Sequence, residues 1–256
     1  MFNVPCMVSS RQILGIQFFN GDVEEAVGLM LQRGGLLVAP SGTCFARLRA
    51  DKIYRRAVLA ADLAIADSSL MVLLWRLLRR QKVERISGYK YLKHLLGRLK
   101  VEGKRDVFWI LATKHGQQSL FDWSRREGFS VAGKNCYVAP WYGSEVEDRD
   151  LLALLEQHRP THVIVAIGSG AQEKLGYFMR ENLSYRPAIH CIGAALGFIT
   201  GDQISIPDWA DRSYLGWFFR LLAQPRVFIP RLSRAFQLPR LILKYGEKLP
   251  PMRGRV

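Results

Sequence analysis

A carboxylate directly follows an apolar, strand-like run. Asp67 ends the segment LAIAD at residues 63–67 and precedes two serines. In a parallel α/β sheet such a position faces the ligand crevice, where a carboxylate can act as a general base and take the proton of an attacking hydroxyl. Alternatively, Asp67 caps the following helix by accepting an N–H group near Leu70. The residue pattern leaves both roles open.

The segment GSGAQEK at residues 168–174 combines a glycine turn with polar side chains. It follows an apolar strand and begins a helical pattern, so its backbone N–H groups and the helix N-terminus can hold a phosphate. Gly168 provides the turn, and Gln172 and Glu173 are placed to bind sugar hydroxyls or a base. The GxGxxG spacing is absent, and the alternative is that Gln172 and Glu173 are solvent-facing residues of a helix start.

Metal-ligand patterns are weak in this sequence. The string Asp148-Arg149-Asp150 has the DxD form that holds a divalent metal in many glycosyltransferases, but it follows no apolar strand. We interpret it as the charged start of a helix, where acidic residues favour the helix dipole. The five histidines lack an HExxH motif and the four cysteines lack a CxxC pair. We therefore predict neither a metal site nor a cofactor.

Strand-like and helical segments alternate along the chain and must position these groups. Apolar runs predict parallel strands at residues 36–40, 63–67, 107–113, 162–168 and 188–195. Helical patterns lie at residues 23–32, 54–61, 70–80, 117–126, 151–158 and 173–182. This order predicts an α/β fold with a Rossmann-like, mostly parallel sheet flanked by helices. Residues after strands then converge on one crevice, which adds Ser41 and Thr113 to the candidate site.

The charge and the C-terminal segment indicate an anionic partner. The net charge is +15, and residues 212–256 contain eight Arg and two Lys against one Glu. Bulky apolar residues and prolines intervene, which predicts short amphipathic helices at a membrane interface. The alternative is a helical pair that closes the core. We expect a catalytic domain at residues 1–201 and a membrane-associating, site-closing appendage at residues 202–256.

Several ordered motifs resemble the WecG/TagA/CpsF glycosyltransferase family. They are AADLAIAD, VERISG, GSGAQEK, IGAALGFITG, IPDW and YLGWFFRLLAQPR, and the likeness runs from about residue 13 to 236. The resemblance implies an inverting, metal-independent enzyme. It would transfer a hexose from a UDP-sugar donor to an undecaprenyl-diphosphate-linked sugar, as a peripheral protein on the cytoplasmic face of the plasma membrane. An exposed apolar tail would also favour homo-oligomers away from lipid.

The resemblance assigns roles to particular residues. It implies that Asp67 is the catalytic base and that Gln172 and Glu173 contact the nucleotide sugar; Ser41, Thr113 and Gly168 complete the expected donor site. The basic residues expected to neutralise the acceptor or its diphosphate are Arg85, Arg212, Arg220, Arg226 and Arg231. Guanidinium groups suit this role because they bind phosphate oxygens in pairs.

Departures from the family pattern leave the substrate open. Asp-Gly becomes Asp67-Ser68, and Pro-Lys becomes Gly170-Ala171. These changes favour an exopolysaccharide-type member using a glucosyl donor over an N-acetylmannosamine transferase. Two other classes are an inactive family relative that serves as a scaffold and a basic nucleic-acid-binding protein. The latter lacks a recognition helix or an aromatic RNA-binding motif.

Overall fold

Eight strands form one sheet in the computed structural model, which describes residues 9–103, 106–203 and 236–253. Within these residues the strands are β1 (Ser10–Ile13), β2 (Ile16–Phe19), β3 (Gly35–Val38), β4 (Leu63–Ala64), β5 (Val107–Leu111), β6 (Cys136–Val138), β7 (His162–Ala166) and β8 (Ala188–Cys191). Their order across the sheet is β1-β2-β4-β3-β8-β7-β5-β6. Only the β1–β2 pair is antiparallel among the pairs in this sheet. The mostly parallel α/β sheet is therefore confirmed.

The described helices cover both faces of the sheet. They are α1 (Val23–Arg33), α2 (Lys52–Leu59), α3 (Ser69–Arg79), α4 (Gly88–Val101), α5 (Lys114–Glu127), α6 (Arg149–His158), α7 (Ala171–Asn182), α8 (Ala195–Thr200) and α9 (Gln237–Tyr245). Helices α1, α4, α5 and α8 bury apolar residues in one core, and α2, α3, α6, α7 and α9 do so in the other. The fold thus has three layers, with the sheet in the middle.

Alternation along the buried strands supplies both cores. Leu36 and Val38 of β3 point into one core and Leu37 points into the other, because successive strand side chains face opposite sides. All four residues of β3 and all five of β5 are buried, as expected of parallel strands covered by helices. This arrangement brings the carboxyl ends of β3, β4, β7 and β8 to one edge of the sheet.

The predicted strands correspond to β3, β4, β5, β7 and β8, whereas β1, β2, β6, α4 and α8 were not predicted. Strands β1 and β2 form a hairpin whose turn, Leu14-Gly15, has positive φ angles of 51° and 84°. Helix α4 begins after Ser87, whose side chain accepts the Lys90 N–H group. Its buried leucines lie three or four residues apart, as an amphipathic helix requires.

The last described segment packs on the core. Helix α9 buries Leu238, Leu241 and Ile242 beside α3, and the N–H groups of Leu14 and Gly15 donate to the carbonyl oxygens of residues 246 and 247. This part of the predicted appendage is therefore joined to the sheet domain. The remainder, residues 204–235, lies outside the described residues. No helix within the described ranges has the length and apolar character needed to cross a bilayer.

Candidate functional site

Asp67 lies three residues beyond β4, at the carboxyl edge of the sheet. Its side chain is half-buried, and Oδ1 accepts the N–H group of Gly88, the first residue of α4, at 2.8 Å. The cap of α3 is Ser68, whose Oγ accepts the Met71 N–H group at 3.2 Å. Within the described residues Oδ2 of Asp67 has no hydrogen bond. Among the described residues, the carboxylate is thus held through one oxygen.

Arg85 is attached to the Asp67 turn. It precedes α4 in the chain, and its Nε donates to the backbone carbonyl oxygen of Asp67 at 3.1 Å. The side chain is partly buried. This contact brings a guanidinium group beside the candidate base.

The loops after β3 and β4 touch each other. An alanine Cβ at Gly42 would lie only 2.8 Å from Ser68 Oγ, so glycine permits the close approach. Ser41, next to Gly42, has its Oγ 3.1 Å from Thr43 Oγ1 and 3.3 Å from Cys44 Sγ. Ser41 is therefore placed beside the turn that carries Asp67.

Gln172 and Glu173, in the first turn of α7, are both fully buried. Glu173 Oε2 accepts the Gly170 N–H group at 2.5 Å, and Gln172 Nε2 donates to Glu173 Oε1 at 3.2 Å and to the Cys191 carbonyl oxygen at 3.3 Å. Burial raises the pKa of Glu173 above its usual value. The alternative that these side chains face solvent is wrong.

One acceptor atom of this pair lacks a hydrogen-bond partner among the described residues. Oε1 of Gln172 is buried and has no hydrogen-bond partner in the described part of the chain. A buried acceptor without a partner costs about 1–3 kcal/mol, so a ligand hydroxyl or N–H group at this position would recover that energy. The amide therefore has one buried acceptor that no described residue uses.

A guanidinium group that was not predicted lies at the start of α7. Gly170 has φ +100°, and an alanine Cβ there would be 2.8 Å from the Arg47 guanidinium. Gly168 also has a positive φ, +97°, and its carbonyl oxygen accepts the Gln172 N–H group. Arg47 follows β3 in a 3-10 helix, Gly42–Arg49, and reaches this turn only through tertiary packing. It adds positive charge beside the loop that begins α7.

The loop after β8 joins the two halves of the site. An alanine Cβ at Gly88 would lie 3.1 Å from the Ile192 carbonyl oxygen, and one at Gly193 would lie 3.5 Å from Gln172 Nε2. Gly88 in turn holds Asp67. Asp67 and Gln172, more than 100 positions apart in the sequence, thus border the same short loop.

Thr113 has a local structural role. It follows β5 as the N-cap of α5, where its Oγ1 accepts the Gly116 N–H group at 3.0 Å, and the residue is exposed. Its hydrogen bonds among the described residues are to the Gly116 and Gln117 N–H groups of its own helix start.

The prediction for Asp148 as a helix start is confirmed. Asp148 is the N-cap of α6, and its Oδ1 accepts the Leu151 N–H group at 2.9 Å. Its Oδ2 accepts the hydroxyl groups of Tyr137 and Tyr142 at 2.9 and 2.6 Å. Both carboxylate oxygens are therefore used within the fold.

Comparison with known proteins identifies the family. Residues 11–253 match the model of the glycosyl transferase WecG/TagA/CpsF family. The chain belongs to this family. Two similar relatives are N-acetylglucosaminyldiphosphoundecaprenol N-acetyl-beta-D-mannosaminyltransferases. The enzyme of Bacillus subtilis (strain 168) is 27% identical, and the match covers 75% of this chain and 72% of that enzyme. The enzyme of Bacillus spizizenii (strain ATCC 23059 / NRRL B-14472 / W23) is 25% identical, and the match covers 74% of this chain and 70% of that enzyme.

The WecG/TagA/CpsF match extends through the segment that the structure leaves undescribed. Four of the predicted basic site residues, Arg212, Arg220, Arg226 and Arg231, lie outside the described residues. Of the predicted cationic groups, the structure therefore places Arg85 alone, beside Asp67.

Proposed function

We propose that this protein is an inverting, metal-independent glycosyltransferase that moves a hexose from a UDP-sugar to a polyprenyl-diphosphate-linked sugar at the membrane surface. Membership of a glycosyl transferase family supports the reaction class. The names of the two relatives give a lipid-linked acceptor and an N-acetylmannosaminyl group, and we adopt them as the first substrates to test.

The observation that carries the proposal is the placement of Asp67. Its Oδ1 is fixed by the Gly88 N–H group, which leaves Oδ2 to accept a proton. In the proposed step Asp67 takes the proton of an acceptor hydroxyl while that oxygen bonds to the anomeric carbon. The bond between this carbon and the nucleoside diphosphate breaks on the opposite side, and the diphosphate leaves with the bonding electrons.

Groups across the crevice suit the departing diphosphate. The N-terminus of α7 contributes a positive helix dipole, and the Gly170 N–H group in the preceding loop is bonded to Glu173 Oε2. The Arg47 guanidinium lies against that loop, and Arg85 lies against the Asp67 turn. Donors fixed before the reaction stabilise developing negative charge at little reorganisation cost. Gln172 Oε1, which is buried and has no hydrogen-bond partner in the described part of the chain, is the acceptor that we assign to a donor group of the sugar or base.

A transfer assay tests this function. Purified protein is incubated with N-acetylglucosaminyl-diphosphoundecaprenol in detergent micelles and, in parallel, with UDP-N-acetylmannosamine or UDP-glucose. We expect release of UDP and a lipid product that is heavier by one sugar, with the anomeric configuration inverted as read by NMR. Absence of transfer from every UDP-sugar in a wider panel would favour the scaffold interpretation.

A further inference from the structure

Two neighbouring helices of one layer, α3 and α9, carry apolar side chains on their outer faces. In α3, Leu73 and Leu77 are 38% and 74% exposed, and they lie four residues apart on one face. Phe236, which precedes α9, and Leu243 within it are 70% and 60% exposed. Both helices bury their opposite faces against the core. The outer surfaces of these two packed helices are here called the α3–α9 face.

Basic residues share this face. Arg76 lies three residues after Leu73 on α3, and Arg80 is the C-cap residue three positions after Leu77; both are exposed. Residues 69–83 include four basic residues and no acidic one, and residues 236–253 include four basic residues and one acidic residue. The α3–α9 face is thus apolar at several points and strongly positive around them.

Packing makes the face a fixed surface. Trp75 of α3 is fully buried, and α9 packs beside α3 through the buried Leu238 and Ile242. At the ends of the helices an alanine Cβ at Gly246 would lie 2.8 Å from the Arg79 guanidinium. The two helices are held together by the core, so their outer faces are presented as one unit.

We propose that the α3–α9 face lies on a bilayer that contains anionic lipids. Leucine and phenylalanine among arginine and lysine match the acyl boundary and the phosphate headgroups of such a membrane. A second copy of the chain is a poorer occupant, because a symmetric dimer through this face would oppose two sets of like charges. The inference rests on the proposed function because it takes the acceptor to be lipid-linked.

The position of α3 connects this face to the reaction. The helix begins at Ser69, two residues after Asp67, and its 11 residues span about 16 Å. A membrane lying along α3 would therefore bring headgroups close to the candidate base. The sugar and diphosphate of a lipid-linked acceptor lie at that depth, so the acceptor could reach Asp67 without leaving the bilayer.

Vesicle co-sedimentation of the full chain tests the inference. The probe is a set of vesicles of phosphatidylcholine alone or of equimolar phosphatidylcholine and phosphatidylglycerol. We expect the double variant Leu73→Gln/Leu77→Gln to lower binding to the mixed vesicles by about tenfold or more. The double variant Arg76→Gln/Arg80→Gln should lower binding to mixed vesicles by roughly tenfold and change binding to neutral vesicles little.

Matched controls lie in the opposite layer. Val101→Gln removes an apolar side chain that is 86% exposed at the end of α4, and Arg125→Gln/Arg126→Gln removes two exposed charges from α5. These variants should bind vesicles as the unmodified chain does. All the variants change exposed positions, so unchanged thermal melting verifies that they fold.

Three results would overturn the inference. One is unchanged vesicle binding by the leucine variant, which would mean that the α3–α9 face does not contact the bilayer. Another is an oligomer that dissociates in that variant while vesicle binding persists, which would assign the face to a second copy. The third is an equal loss in the α4 and α5 controls. Sugar transfer to a short-chain, water-soluble acceptor should survive in the leucine variant; its absence even in the unmodified chain would instead refute the proposed function.

Discussion

Gly176 lies where α7 comes nearest to the sheet, and its replacement tests that packing. An alanine Cβ at this position would be 2.6 Å from Cys191 Sγ and 2.7 Å from Leu36 Cδ1, both in buried strands. Overpacking of this kind costs about 1–3 kcal/mol, whereas replacing a helical glycine by alanine gains about 0.5–1 kcal/mol. We therefore expect Gly176→Ala to lower the free energy of unfolding by about 1–2 kcal/mol.

Gly97 provides the matched control, because it is also inside a helix but has no atom within 4 Å of an added Cβ. Gly97→Ala should stabilise the fold by about 0.5–1 kcal/mol. Urea unfolding of both variants measures the difference, and adding Cys191→Ala should reduce the Gly176→Ala penalty by removing the nearer contact. An equally stabilising Gly176→Ala would refute the close approach of α7 to the sheet. Since α7 carries Gln172, we also expect a higher KM for the donor in Gly176→Ala.

Three further predictions concern single groups. Glu173→Ala should lower the free energy of unfolding by about 2–4 kcal/mol, because it leaves the Gly170 N–H group without its buried acceptor. Urea unfolding measures this loss, and Glu173→Gln should recover part of it. Burial holds the pKa of His190 well below its usual value. The contribution of His190 to the free energy of unfolding should therefore be fully present above the unfolded pKa of about 6.5 and be lost as the pH falls below it. His190→Gln should make the free energy of unfolding less dependent on pH in this range, and an unchanged dependence would exclude His190 as its source. Asp148→Ala should lower the melting temperature by several degrees through loss of the α6 cap, with Asp122→Ala on the exposed surface of α5 as the control.

Much of the sheet was predictable because its central strands are continuous apolar runs. Strands β3, β5, β7 and β8 are buried on both faces, and that burial requires the unbroken Val, Ile and Leu pattern found in the sequence. The hairpin at residues 10–19 is short and polar at several positions, so it gives a weaker signal. Helix α4 had a readable signal in Ser87, a capping residue followed by regularly spaced leucines.

The candidate site was predictable only in part. Asp67 and Gln172 could be selected because each follows a predicted strand, and parallel strands end at a common edge. The contact of Arg47 with Gly170 could not be predicted, because it joins loops from β3 and β7 that lie more than 120 positions apart. The burial of Glu173 was likewise hidden, since a carboxylate in a first helical turn usually faces solvent and only tertiary packing encloses this one.

The role of Asp67 as general base is the central claim. Asp67→Asn tests it cleanly because the amide oxygen can still accept the Gly88 N–H group while the basic oxygen is lost. The fold and the binding of the donor should therefore change little, as checked by melting and by calorimetric titration with UDP-sugar. Asp122→Asn, an exposed carboxylate on α5, is the matched control.

The most direct measurement is kcat for sugar transfer to the lipid-linked acceptor by Asp67→Asn at saturating donor. We predict a fall of about 10²–10⁴-fold with the donor dissociation constant unchanged. A kcat equal to that of the unmodified protein would contradict the account, because the proton of the acceptor hydroxyl would then be taken by another group.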